Sequence, residues 1–155
     1  MSEANKKIMA RWFDELWNKG RLEIIDELTG NDVVAWGQAG QGVPLKGSAA
    51  FRAYAEGLHK SFSNIQMTVN DLIAEEDKVV VRWTVQMAHT GDALGFPPTG
   101  KQVEFSGMTV AVIRAGKLVE GWDAWDKLGL LQQLGRIDDR MPFVATAASV
   151  QTVTG

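Results

Sequence analysis

The chain of 155 residues has no cysteine, two histidines (His59 and His89), one tyrosine (Tyr54) and four prolines. Without cysteine there are no disulfides, thiol nucleophiles or thiolate zinc sites, and so few histidines leave out most His-rich metal sites. No stretch approaches the roughly 18 apolar residues of a spanning helix. The N-terminal residues, Met1 to Lys7, lack an apolar run of secretory length, so a cytoplasmic protein is expected. Neither sign of charge dominates: 16 Lys+Arg against 19 Asp+Glu give a net −3. A duplex-binding protein normally needs a clustered basic face, which makes nucleic acid an unexpected partner. The glycine-rich run Gly37 to Gly42 lacks the GxGxxG spacing, and there is no P-loop. Nothing in this inventory calls for a cofactor or a metal.

Tryptophan, by contrast, is plentiful, with six in the chain. Ile8, Trp12 and Leu16, with Met9, Phe13 and Trp17 beside them, recur at helical spacing and predict a first helix that ends at Asn18-Lys19-Gly20. A shorter helix is expected over 21–28. Residues 29–47 read as an irregular loop around one short strand, Val33 to Trp36. Ser48 is a plausible N-cap for a third helix with Phe51, Tyr54, Ala55 and Leu58 inward. After Asn64 the period changes to about two, predicting strands over 65–75, 78–88, 102–114 and 117–126 in an antiparallel meander. A Gly/Pro-rich loop, Thr90 to Gly100, interrupts the series, and a last short helix starts near Lys127. The organisation expected is one domain over 1–135 and a tail over 136–155. Helices followed by an antiparallel sheet define an α+β fold in which the helices cover one face of a curved sheet and leave a concave place for a small molecule.

Regular pairing across Ala115-Gly116 puts Thr109 opposite Trp122, Gly107 opposite Ala124 and Phe105 opposite Asp126 on one face. Small residues beside an indole leave room for a ligand, and Asp126 would sit in apolar surroundings that raise a carboxyl pKa into the useful range for proton transfer. Asp126 also directly precedes the last helix, where Asp is a preferred cap. Asp123 points the other way in a regular strand and reads as a solvated residue, though a bulge would shift the register by one and exchange the faces. Trp122, Phe105, Trp36, Tyr54 and Phe51 are the expected substrate-binding walls, with Thr109, His89 and Arg82 as polar neighbours. Trp12 and Trp17 belong to the helix core in this reading, and Trp83 and Trp125 to the opposite sheet face or an interface.

The stretch Gly116 to Asp126, followed by Leu128-Gly129-Leu130-Leu131-Gln132-Gln133-Leu134-Gly135, resembles the closing strand and tail of the SnoaL-like polyketide cyclases (ester cyclases) of the NTF2-like superfamily. His89-Thr90-Gly91 and Gly95-Phe96-Pro97-Pro98-Thr99-Gly100 resemble the same family's loop. The resemblance covers roughly 5–135. It implies an NTF2-like cone with a strongly curved, mixed and mainly antiparallel sheet, commonly a homodimer or homotetramer through that sheet. It also implies cofactor-free intramolecular aldol chemistry on a hydrophobic, polyketide-like or polycyclic small molecule, with an aspartate on the closing strand as acid and base. That role falls to Asp126, with Asp123 in reserve. The related limonene epoxide hydrolases carry Arg-x-Asp where this chain has Arg82-Trp83-Thr84, and ketosteroid isomerases carry a tyrosine on the first helix. Both motifs are missing here, as is a histidine on strand 102–114. The alternatives that remain are a non-catalytic small-molecule-binding protein of the same fold, another isomerase or hydrolase of the superfamily, and an interaction module whose cone is filled by indoles.

Overall fold

The apolar stripe of the first segment forms helix α1 (Ser2–Arg11), which runs directly into a π-helical segment, Trp12–Asn18. The segment closes with the Lys19 N–H donating to the Asp14 carbonyl at 3.0 Å. The sequence pattern predicts one uninterrupted α-helix here. The wider turn instead lets Trp12, Phe13, Leu16 and Trp17, at i, i+1, i+4 and i+5, all be buried on one face. A computed structural model describes residues 2–40 and 42–137. The expected tail, 136–155, lies outside the described residues except for Arg136 and Ile137.

Helix α2 is Ile24–Leu28, and the region expected to be mostly loop is a long strand, β1 (Thr29–Gly40), turning back into β2 (Val43–Lys46). Its glycines mark irregularities within paired backbone, so a reading that treats glycine as a breaker underestimates the strand. Gly47, at φ +90°, takes the N-cap position of α3 (Ser48–Ser61), so Ser48 is the first helical residue. Strands β3 (Phe62–Glu75), β4 (Lys78–His89), β5 (Gln102–Arg114) and β6 (Lys117–Trp125) follow the expected meander, and α4 (Lys127–Gln133) closes the described chain.

The strands form one open sheet in the order β2-β1-β6-β5-β4-β3, antiparallel except for the parallel pair β1 and β6. This is the expected α+β arrangement, with the helices over one face. The core joins that face to the helices through Met9, Phe13, Leu16, Ile24, Val79, Val81, Trp83 and Val85. No helix among the described residues is long and apolar enough to cross a membrane.

One irregularity decides which side chains of β6 face inward. Arg114 pairs with Lys117 and Ile113 with Leu118, but Val112 pairs with Glu120, so a bulge leaves Val119 over. Beyond it Ala111 lies opposite Gly121, Val110 opposite Trp122, Thr109 opposite Asp123 and Gly107 opposite Trp125. Relative to a regular hairpin, the faces of β6 are exchanged.

Candidate active site

Between the helices and the sheet lies a cavity walled by Trp12, Phe13 and Trp17 from the π segment, Phe51 and Tyr54 from α3, and Trp83, Phe105 and Trp125 from the sheet. Four of the six tryptophans therefore face it. The rings interlock: Trp12 lies 5.2 Å from Phe51, Phe51 5.7 Å from Tyr54, and Phe105 5.3 Å from Trp125, centroid to centroid. Gly107 makes the sheet side of this wall possible, because a Cβ there would stand 2.5 Å from the Trp83 ring and 2.8 Å from the Trp125 Cβ. About 100 Å³ is left free between the side chains, the scale of a single aromatic ring.

Among the described residues, the one carboxylate in this lining is Asp123. It is set deep beneath the helices and keeps an intermediate accessibility that the cavity supplies. The Thr109 hydroxyl donates to Asp123 Oδ1, and the Gln38 amide donates to Oδ2 at 2.5 Å. Thr109 in turn accepts the Trp83 indole N–H at 3.0 Å. With the hydroxyl oxygen occupied in this way, its hydrogen is directed at the carboxylate. Burial pushes the Asp123 carboxyl up to about 6, while the hydrogen bonds from Thr109 and Gln38 pull it back. Near neutral pH the group is thus mostly ionised, yet basic enough to hold a proton transiently. The Tyr54 hydroxyl is held above its ordinary pKa, first by burial and then by the Asp123 charge, and so stays a neutral donor.

The expected site residues divide. Phe105, Tyr54, Phe51 and Thr109 lie in the lining together with Asp123, the reserve aspartate. Asp126 does not. It is exposed, and its carboxylate accepts the Gly129 N–H at 2.8 Å as the N-cap of α4. Trp122 and Trp36 are on the outer face, paired with each other across β6 and β1, and Trp36 donates to Glu120 at 3.1 Å. Trp36 faces outward because its neighbour on β1, Ala35, faces in. The bulge in β6 is the reason that Asp126 and Trp122 leave the cavity side, since it turns Trp122 outward and Asp123 inward. The same shift brings Trp125 into the cavity; Trp83 lies opposite Gly107 in the sheet, also on the cavity side.

His89 is fully buried beneath the Gly/Pro loop, away from the cavity lining. Its Nδ1 accepts the Thr99 backbone N–H at 3.1 Å, and its ring packs between Phe62 and Phe96. Arg82 is exposed on the outer face and pairs with Asp71 at 2.5 Å. Gln38 is the polar site residue that the sequence reading misses. The only signal for it is Gly37, whose φ of +98° changes the phase of β1.

The cap assignment makes a separate prediction. Asp126→Ala should cost about 1 kcal/mol, read as a small fall in melting temperature, and leave the near-ultraviolet spectrum of the cavity tryptophans unchanged. A changed spectrum would mean that Asp126 does more than hold α4.

Helices over one face of an open mixed sheet, with a carboxylate from the closing strand in the cavity between them, define an NTF2-like α+β domain. Within that class, residues 7–134 match the family model of the SnoaL-like polyketide cyclases, and the chain belongs to this family. An aklanonic acid methyl ester cyclase of Streptomyces sp. strain C5 is 29% identical over 131 residues, covering 82% of this chain and 80% of that protein. Among solved structures, AclR of Streptomyces galilaeus, named as a candidate hydroxylase, superimposes with a TM-score of 0.78 at 29% identity, covering 88% of this chain and 99% of its own. IdmH of Streptomyces antibioticus, named as a candidate polyketide cyclase, gives 0.73 at 28% identity, with 84% and 98% covered.

Proposed function

We propose that the protein closes a ring in a hydrophobic, polyketide-like substrate by an intramolecular aldol reaction, with Asp123 as general base and then general acid. The single observation that carries this reading is the Asp123 carboxylate in the aromatic cavity, pushed up to about 6 by burial and fixed by two donors. The carboxylate removes a proton from a carbon next to a carbonyl. The enolate carbon so formed attacks a second carbonyl carbon of the same molecule, and the new alkoxide takes the proton back from Asp123. No atoms are gained or lost, and no redox partner is needed. Tyr54, kept neutral, can donate to the enolate oxygen, and the apolar walls exclude competing water.

The test is conversion of an aryl polyketide carrying a 1,3-dicarbonyl, with aklanonic acid methyl ester as the first compound, followed by chromatography for an isomer of unchanged mass. Absence of any ring-closed isomer above the uncatalysed background across such compounds would overturn the reading. The free volume implies that a fused ring system enters only as the indole walls move.

A second reading, binding without catalysis, draws on that small volume and on the absence of an imidazole beside Asp123. It predicts that ligand quenches tryptophan emission equally in wild type and Asp123→Asn, with no product.

We also propose a homo-oligomer built through the outer sheet face. Trp36, Trp122, Val110, Val80 and Ile73 are successive cross-strand partners and form one apolar row over five strands. Trp122 and Ile73 are 39% and 63% exposed in the single chain, and an apolar row of this length is unusual on a monomer surface. Trp122→Glu should convert the assembly to monomers in sedimentation. A wild-type protein that is already monomeric at micromolar concentration would contradict the proposal.

A further inference from the structure

From Val33 to Trp36 strand β1 alternates regularly. Val33 and Ala35 line the cavity, Trp36 faces outward beside Trp122, and strict alternation would send Gln38 outward too. Gly37 breaks the phase with a φ of +98°, a conformation natural only to glycine, and Gln38 lines the cavity. At Gly37 the strand thus departs from regular alternation, and this departure brings an amide to Asp123.

An ionised carboxylate can only accept hydrogen bonds, so the amide nitrogen of Gln38 must face Asp123 and its oxygen must face away. That oxygen, Oε1, is buried and has no hydrogen-bond partner among the described residues. A bare buried acceptor is destabilising. Three donors of the lining are already engaged, since the Thr109 hydroxyl serves Asp123, the Trp83 N–H serves Thr109 and the Thr29 hydroxyl donates to the Ile25 carbonyl at 2.7 Å, and no hydrogen bond joins the Tyr54 hydroxyl to Oε1.

We propose that Gln38 Oε1 is a specificity-determining acceptor that takes the hydrogen of a substrate hydroxyl, phenolic or enolic, held beside the carbon that Asp123 deprotonates. The substrate class is thereby narrowed to hydroxyaryl or enolised dicarbonyl compounds. A compound lacking that hydroxyl leaves Oε1 bare in the complex and is discriminated against. The role in turnover rests on the acid–base reading of Asp123, whereas the hydrogen bond to the hydroxyl does not.

The test uses phenol and toluene, which differ by a hydroxyl against a methyl, as non-reacting probes. Their Kd values are measured at pH 8, where Asp123 is ionised, from the tryptophan indole signals in heteronuclear NMR. Preference for phenol over toluene, as a ratio of Kd values, should fall about tenfold in Gln38→Met. Gln38→Leu, which also lacks the acceptor, gives the same readout if the methionine variant does not melt cooperatively. A ratio that changes less than about threefold assigns the hydroxyl to Asp123 or Tyr54 and overturns the proposal, as does failure of both probes to move the indole signals. Because neither probe reacts, this result stands or falls separately from the acid–base reading, which is judged by Asp123→Asn kinetics alone.

Discussion

Asp123→Asn is expected to lower ring closure by at least about a hundredfold, the usual scale of a lost general base, while Asp126→Asn stays within a few-fold of wild type. Asparagine keeps the shape and can still accept from Thr109, so the loss reports chemistry rather than architecture. In the wild type, kcat/KM should rise with pH and level off above about 6, since the proposed base is the ionised form and its pKa is about 6. Stability moves the other way. The folded-state pKa of about 6 lies above the ordinary 3.8, so this carboxyl favours the folded state fully only below pH about 4, and that contribution is lost as pH rises through about 6. The gap corresponds to at most about 3 kcal/mol. Asp123→Asn should therefore melt higher than wild type at pH 8 and converge with it near pH 4. Equal turnover in the two Asp variants, or a melting difference that does not depend on pH, would remove Asp123 from the mechanism.

Gly37→Ala should be the most damaging single-methyl change in the molecule's functional end. A Cβ at Gly37 would stand 2.1 Å from the Asp123 carbonyl oxygen and 3.0 Å from its carbonyl carbon. Both are backbone atoms that cannot swing aside. The φ of +98° adds strain for any residue with a side chain. Overpacking and strain together place the cost at about 2–5 kcal/mol, or a fall of roughly 10 °C in Tm for a domain of this size. Because the clash pushes β1 away from β6, Gln38 also leaves Asp123, and turnover should fall beyond what the loss of folded protein explains. Gly57→Ala is the control: it lies within α3 with nothing within 4 Å of the added Cβ, and should be neutral or slightly stabilising. Similar melting temperatures for the two variants would refute the account of β1.

Much of this architecture could be read from the chain because period and turn chemistry act locally. The β-branched alternation from Ile65 onward, the Ala115-Gly116 turn and the capping Asp126 each carry their signal within a few residues. The closing-strand motif carried the family. The inward face of β6 could not be read in the same way. A regular hairpin and a bulged one fit the same residues between Val112 and Glu120, and the bulge falls where Leu118 pairs with Thr29 of β1, a partner distant in sequence. The regular register places Asp126 and Trp122 inside and Asp123 outside, and the one residue of the bulge reverses this. Gln38 stayed hidden for a related reason: Gly37 looks like an ordinary breaker until the Asp123 backbone is found lying against it.

The π segment gives the cavity a property that side-chain volumes alone do not. Trp12 and Trp17, two of its four indole walls, hang from a helical stretch wound on wide turns, flanked by a regular helix before and a turn after. A wide turn stores one residue more than an α-helix would use over the same rise. Passing that extra residue along the chain rotates everything it passes about the helix axis, and here it would carry both indoles round together. The two indoles on the helical side of the cavity are thus placed by helix winding, and the two on the sheet side, Trp83 and Trp125, by strand register.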